Sequence, residues 1–208
     1  MAITRLGGAN AITGTIPQGN IANSSLGAVT ALPAAITTGS MVLLDKTEIT
    51  SSVASVTINP PFSTTYSNYI IYGDGLRVDT DNKGFQFQLV DSGGTASTAS
   101  YYYALTENDG ATTIGQGNNQ NVSEFVLTNN VASTSRAENF TIQLTNPAVA
   151  DYTSIVWSAG GRRSGGNGHS ANGAGYHNIQ SAYTQFKILP SSANLNQGKI
   201  LTYGTKES

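Results

Sequence analysis

Residues 84–91 read GFQFQLVD, and this stretch decides the fold class. Successive side chains of an extended chain point to opposite faces, so Phe85, Phe87 and Leu89 share one side while Gln86, Gln88 and Val90 share the other. An apolar face opposite a mostly amide face is the pattern of a strand buried on one side. Just upstream, Asp81-Asn82-Lys83-Gly84 has the chemistry of a hairpin turn, and a long β-rich run from Tyr69 to Val78 precedes it. Phe62 and Tyr66 stand at helical spacing, which predicts a short helical turn feeding that run. Before it, SSVASVTI places Val53 out of phase with Val56 and Ile58, predicting a kink near Ala54, and Pro60-Pro61 ends the strand because proline cannot donate to a ladder.

Downstream, strands are legible at 100–106, 121–127, 139–145, 152–158, 182–189 and 199–204, separated by clusters of Gly, Asn, Ser and Thr. Nine or ten short strands with no long helical pattern predict an all-β fold, a jelly-roll-like antiparallel β-sandwich. The first 40 residues differ. Isolated Ile12, Ile16, Ile21, Leu26, Val29, Leu32 and Ile36 are spaced by Gly, Pro17 and Pro33, too sparsely for a core of their own. Residues 1–40 therefore read as an extended N-terminal arm that gains its burial from a partner, with 41–208 as the sandwich domain.

Composition narrows the chemistry. Of 208 residues only 11% are charged, with a net charge of −2, so no field is present that could hold a polyanion, and nucleic acid is excluded as a partner. Ser, Thr, Asn and Gln number 75, so hydroxyls and amides must cover the surface. Cysteine is absent, which removes thiol nucleophiles, disulfides and thiolate metal sites. Neither a membrane span nor a signal peptide is legible, and no membrane insertion is expected.

The order of features, from the block FSTTYSNYIIYGDGL through GFQFQLVDSGG to the tyrosine strand YYYA, resembles a family of small β-sandwich virion proteins of marine and cyanobacterial bacteriophages. FTIQLTNPAVADYTSIVWSAGG and the closing SAYTQFKILPSSANLNQGKILTYGTKES continue the resemblance, and the opening MAITRLGGANAITGTIP looks like the start of short tail-fibre proteins. The resemblance implies a non-enzymatic virion component, a tail fibre or tail-associated protein, placed on the tail more than the head. It implies a homotrimer that docks on other virion proteins through residues 1–40 and displays its sandwich toward a host-surface glycan. A capsid decoration or cement protein is the alternative, and a tail-borne glycan depolymerase the second alternative.

The resemblance assigns no site residues, so these come from the chain itself. The segment AGGRRSGGNGHSANGAGYH, residues 159–177, reads as a long glycine-rich loop carrying Arg162, Arg163, His169, Tyr176 and His177. Two guanidiniums can fork onto carboxylates or phosphates, which suits an acidic polysaccharide, so these five residues are candidate ligand contacts. Strand alternation sends Tyr102 to the face opposite Tyr101 and Tyr103, and makes it a sixth candidate, able to stack on a sugar ring. Trp157, in phase with Ile155, is expected in the core.

Catalysis finds little support. The only histidines, His169 and His177, fall in this loop, a poor mount for a Ser/His hydrolase. Asp74, Asp79, Asp81 and Asp91 crowd one region as paired carboxylates would, but Asp74-Gly75 and Asp81-Asn82-Lys83-Gly84 read as turns, where Asp caps its own backbone. Asp79-Thr80-Asp81-Asn82-Lys83-Gly84 begins like a calcium loop and fails at Lys83 and at Val90, where the bidentate glutamate belongs. No catalytic residue, metal or cofactor is expected.

Overall fold

The structure, a computed structural model, describes residues 41–59, 61–108, 114–133, 138–163 and 165–205. The expected arm at 1–40 lies outside the described residues. Among those described there are twelve strands and no helix. They are β1 (Met41–Ile49), β2 (Val56–Ile58), β3 (Asn68–Val78), β4 (Lys83–Val90), β5 (Tyr101–Asn108), β6 (Ile114–Val122), β7 (Phe125–Val131), β8 (Glu138–Thr145), β9 (Thr153–Arg162), β10 (Gly168–His177), β11 (Gln185–Pro190) and β12 (Leu195–Thr205).

All pairings are antiparallel, in an eight-stranded sheet of order β1-β12-β3-β8-β9-β10-β5-β6 and a four-stranded sheet of order β2-β11-β4-β7. The expected antiparallel β-sandwich is what the chain forms. Between β1 and β4 the chain changes sheet at every connection, and it does so again between β6 and β8 and between β10 and β12. The two sheets face each other as a sandwich, in which β7, at the edge of the smaller sheet, packs over β5, β9 and β10 of the larger.

Three local expectations need correction. Asn82 does adopt a left-handed turn, at φ 60°, but the strands it joins, β3 and β4, lie in different sheets, so the turn is an arch between layers rather than a hairpin. Residues 62–66 make a turn closed by Ser63 O and Tyr66 N at 3.4 Å, not a helical segment; the Tyr69 hydroxyl pins it by donating to Ser63 O at 2.6 Å. And β6 and β10 were not legible as strands. Their sequences, IGQGNNQNV and GHSANGAGYH, are poor in β-branched residues, and neighbouring strands impose the extended form instead.

The core is aromatic and continuous. Phe62 stacks on Phe186 with centroids 5.6 Å apart, Phe186 on Phe87 at 5.4 Å, and Phe87 meets Phe125 at 6.4 Å. Phe125 then receives Tyr101 edge-on at 4.7 Å and lies 6.0 Å from Trp157. Trp157 is 2% exposed, as its phase with Ile155 predicts, and its indole N–H donates to Leu127 O of the opposite sheet at 2.9 Å. Tyr101 and Tyr103 are buried, and Tyr102 lies half-buried on the opposite face.

Trp157 thus joins the two layers by both bulk and a hydrogen bond. Trp157→Ala is expected to cost about 3–5 kcal/mol, since it opens a cavity and strands the Leu127 carbonyl. Urea unfolding followed by far-UV circular dichroism checks this; a loss below about 1 kcal/mol would show that the layers are not joined there.

Candidate functional site

The segment 159–177 is not a loop. It is the end of β9, a tight connection through Gly165 and Gly166 at φ 96° and 102°, and β10, which is paired on both sides by β9 and β5. Gly165 and Gly166 supply the left-handed turn, whereas Gly161, Gly173 and Gly175 within the strands are there for space. A Cβ at Gly173 would stand 2.1 Å from the Trp157 ring, and one at Gly161 would stand 2.1 Å from Glu138 Oε2.

The six candidate residues accordingly divide. Arg162, Arg163 and His169 lie at one end of β9 and β10, while Tyr102, Tyr176 and His177 lie at the other, roughly 25 Å away. Arg162 and Arg163 are both half-buried and both engaged; their backbone joins the end of β9 to 131–132, with Ala132 N donating to Arg162 O at 3.0 Å. Neither histidine is a surface group. Only Tyr102 and Tyr176 come together, stacked at 5.4 Å with planes 15° apart.

His169 belongs to a buried polar cluster that no sequence pattern announces. Its Nε2 is 3.1 Å from Glu138 Oε1 and 2.8 Å from Thr128 Oγ1, and both the His169 and Glu138 side chains are essentially inaccessible. The Thr128 hydroxyl donates to Glu107 Oε1 at 3.1 Å, and Glu107 also accepts from Asn129 N at 2.7 Å. Burial opposes charge on His169, but the hydrogen bond and charge of Glu138, with Glu107 behind it, outweigh burial and raise its pKa above the ordinary value. Burial also raises Glu138. Because Thr128 lies on β7 and the other members on β5, β8 and β10, the cluster joins the two sheets at this end of the sandwich.

His177 is fully buried in apolar and neutral company. Its Nε2 lies 2.9 Å from Ser97 Oγ and 3.1 Å from Ala99 O, and its Nδ1 lies 3.2 Å from the Tyr183 hydroxyl. A serine and a histidine in contact invite comparison with a nucleophile and its base. The Ala99 carbonyl can only accept, so the tautomer that bonds it carries its proton on Nε2 and is not the acceptor that a serine nucleophile needs. Burial lowers the pKa of His177, which ties the connections before β5 and after β10 together as a neutral group.

The aspartates are likewise spent on structure. Asp79 accepts from Asn194 N at 3.0 Å, which with further hydrogen bonds lowers its pKa, and Asp81 accepts from Ser133 N at 2.6 Å. Asp91 accepts from Gly93 N and Thr95 N at 2.9 and 2.8 Å, and Asp74 pairs with Lys199 at 2.8 Å. Among the described residues no group of three His, Cys, Asp or Glu could hold a metal ion.

What remains open is the outer face of the larger sheet. Strand register lines up Thr106, Asn172, Ser158, Thr141 and Tyr72 in one row across β5, β10, β9, β8 and β3. The next row holds Ala104, Ala174, Val156, Gln143 and Ile70, and Tyr102 and Tyr176 flank its β5–β10 end. Two depressions of about 450 and 550 Å³ share Thr141 and Ser158, so they form one shallow trough over these strands. Val156 is 54% exposed, Tyr152 47% and Tyr176 42%; Tyr152 meets Tyr176 edge-on at 6.4 Å. Past β3 the face becomes apolar, with Tyr72 and Tyr203 packed at 5.8 Å beside exposed Leu43 and Met41. Of the trough, sequence reading found only the stacking tyrosines. The alternating polar residues of β8, β9 and β10 were in view, but their alignment into rows needs the register.

No family model matches the chain, and no curated protein matches it. Among solved structures it is similar to an alginate lyase from Alteromonas sp. 272, at 9% identity over 85% of this chain and 92% of that chain, with a TM-score of 0.30. It is also similar to the VP2 subviral particle of infectious bursal disease virus, at 14% identity over 79% of this chain and 40% of that chain, with a TM-score of 0.14. Likenesses at these TM-scores carry no argument about function.

The two histidines give pH dependences of opposite sign. His177, lowered by burial, contributes stability present above its unfolded value near 6.5 and lost as pH falls through its folded value. His169, raised by its carboxylates, contributes stability present below 6.5 and lost as pH rises through its folded value. Above pH 6.5 only His169 still acts of the two, so the urea midpoint should decline there, and Glu138→Gln should abolish the decline. An unchanged pH profile in that variant would show that the pair does not couple.

Proposed function

We propose that the protein is a bacteriophage virion component, a tail fibre or tail-associated protein, that displays its sandwich for recognition of a host-surface glycan. The observation that carries the recognition reading is the trough on the outer face, a broad surface of hydroxyls and amides bordered by stacked tyrosines. Protein surfaces of this kind suit sugars, which offer many hydroxyls and apolar ring faces together. The virion setting is supported by the resemblance in the order of sequence features, from the FSTTYSNYIIYGDGL block to the closing strands. The buried histidines and capped aspartates leave recognition without chemistry as the favoured role. Exposed Met41 and Leu43 support self-association, and the sequence resemblance supports a homotrimer with residues 1–40 as the segment that docks on other virion proteins.

Two measurements test this. Gold-labelled antibody against residues 41–208 is expected to mark the tail of intact phage particles in electron micrographs. Label over the head would replace the fibre reading with that of a capsid decoration protein, and unlabelled particles would overturn the virion reading. Light scattering of the purified chain at micromolar concentration is expected to give three times the mass of 21.6 kDa, and a monomer would remove the trimer.

A further inference from the structure

We infer that the ligand of the outer-face trough is a neutral polysaccharide laid across the strands, not the acidic one that the arginine pair suggests. This inference rests on the recognition reading above and names its ligand class. Three observations carry it. First, the side chains contributed to the trough by β5, β10, β9 and β8 are all uncharged. At the β3 edge, the Asp74 carboxylate is neutralised by Lys199 at 2.8 Å, and farther along Lys46 is occupied by Glu48 at 2.6 Å. Arg162 and Arg163 are engaged at the far end of β9. Among the described residues, then, no unengaged cation faces the trough to meet a carboxylate or sulfate.

Second, the polar groups in the trough are unspent. Among the described residues, the side chains of Thr106, Thr141, Gln143, Ser158 and Asn172 make no hydrogen bond, whereas Thr145 and Asn139, just outside the central rows, are used by Asn68 and by Gly75 N. Hydroxyls and amides offer both donors and acceptors, which matches the mixed demands of sugar hydroxyls. Third, the polar row crosses five strands and so runs roughly 19 Å, the reach of a short run of sugar units rather than of one sugar. Two rows away, the Tyr102–Tyr176 stack, its rings 15° from parallel, stands at the β5–β10 end, where Tyr176 exposes ring surface on which an apolar sugar face can rest.

The test is affinity electrophoresis of the full chain through native gels containing dextran, mannan or soluble starch, or the anionic polymer alginate, at low and high salt. Retardation by at least one neutral polymer, unchanged by salt, is expected. Tyr176→Ala is expected to weaken it about tenfold, and Ser158→Lys, which plants a bulky cation in mid-trough, to abolish it. Both positions face solvent, and circular dichroism confirms that each variant folds. Retardation by alginate alone, relieved by salt, would overturn the neutral class while leaving glycan recognition standing. Neutral binding that survives Ser158→Lys in the folded variant would overturn the trough as its place. No retardation in any gel would overturn the recognition reading and this inference with it.

Discussion

An eight-stranded sheet faced by only four strands has more inner surface than its partner can cover, and the rest of this structure follows from how that surface is filled. Large rings do most of it. The chain of contacts from Phe62 through Phe186, Phe87 and Phe125 to Trp157 keeps apolar bulk between the layers, and the indole N–H fastens to a carbonyl on the smaller sheet. A buried ring brings a large apolar area with few rotatable bonds, so it fills space at low entropic cost.

The same crowding accounts for the glycines of β9 and β10. Where Trp157 and Glu138 press against the neighbouring backbone, a Cβ at Gly173 or Gly161 has no room. Glycine content that reads as loop or as anion cradle is here a consequence of close packing between strands, at a cost in strand propensity offset by pairing on both edges. Where β7 meets the ends of β5, β8 and β10 the filling turns polar, and Glu107, Thr128, Glu138 and His169 close the end through charge and hydrogen bonds. Burial makes such a cluster costly, the more so because His169 Nδ1 and Glu138 Oε2 have no hydrogen-bond partner, and it makes that end sensitive to protonation.

Among the described residues, with these histidines and aspartates committed to the frame, the outer face of the larger sheet is a broad open surface. Its breadth comes from the eight strands paired in that sheet. Its character comes from the alternate positions of strands whose other side is core: Ser158 faces out because Trp157 faces in, and Asn172 faces out because Ala171 is buried. Outer face and core are therefore two sides of the same pairing register, and a slip of one residue would destroy both.

The alternation of Phe85, Phe87 and Leu89, the phase of Trp157 with Ile155 and the split of Tyr102 from Tyr101 and Tyr103 were readable in the sequence, because a period of two is local and owes nothing to partners. Of the aspartates only Asp91 caps its own turn, at Gly93 N and Thr95 N; Asp79 and Asp81 accept instead from Asn194 N and Ser133 N, far along the chain, and Asp74 stands within β3 beside Lys199, which turn chemistry does not foretell. What only the tertiary structure decided was which strands become neighbours. That placed Asn82 in an arch between sheets, made a glycine-rich segment into paired strands, buried both histidines and aligned Thr106, Asn172, Ser158, Thr141 and Tyr72 in one row. Those outcomes depend on contacts between residues tens of positions apart, and no local period or propensity encodes a register set by the filling of a shared core.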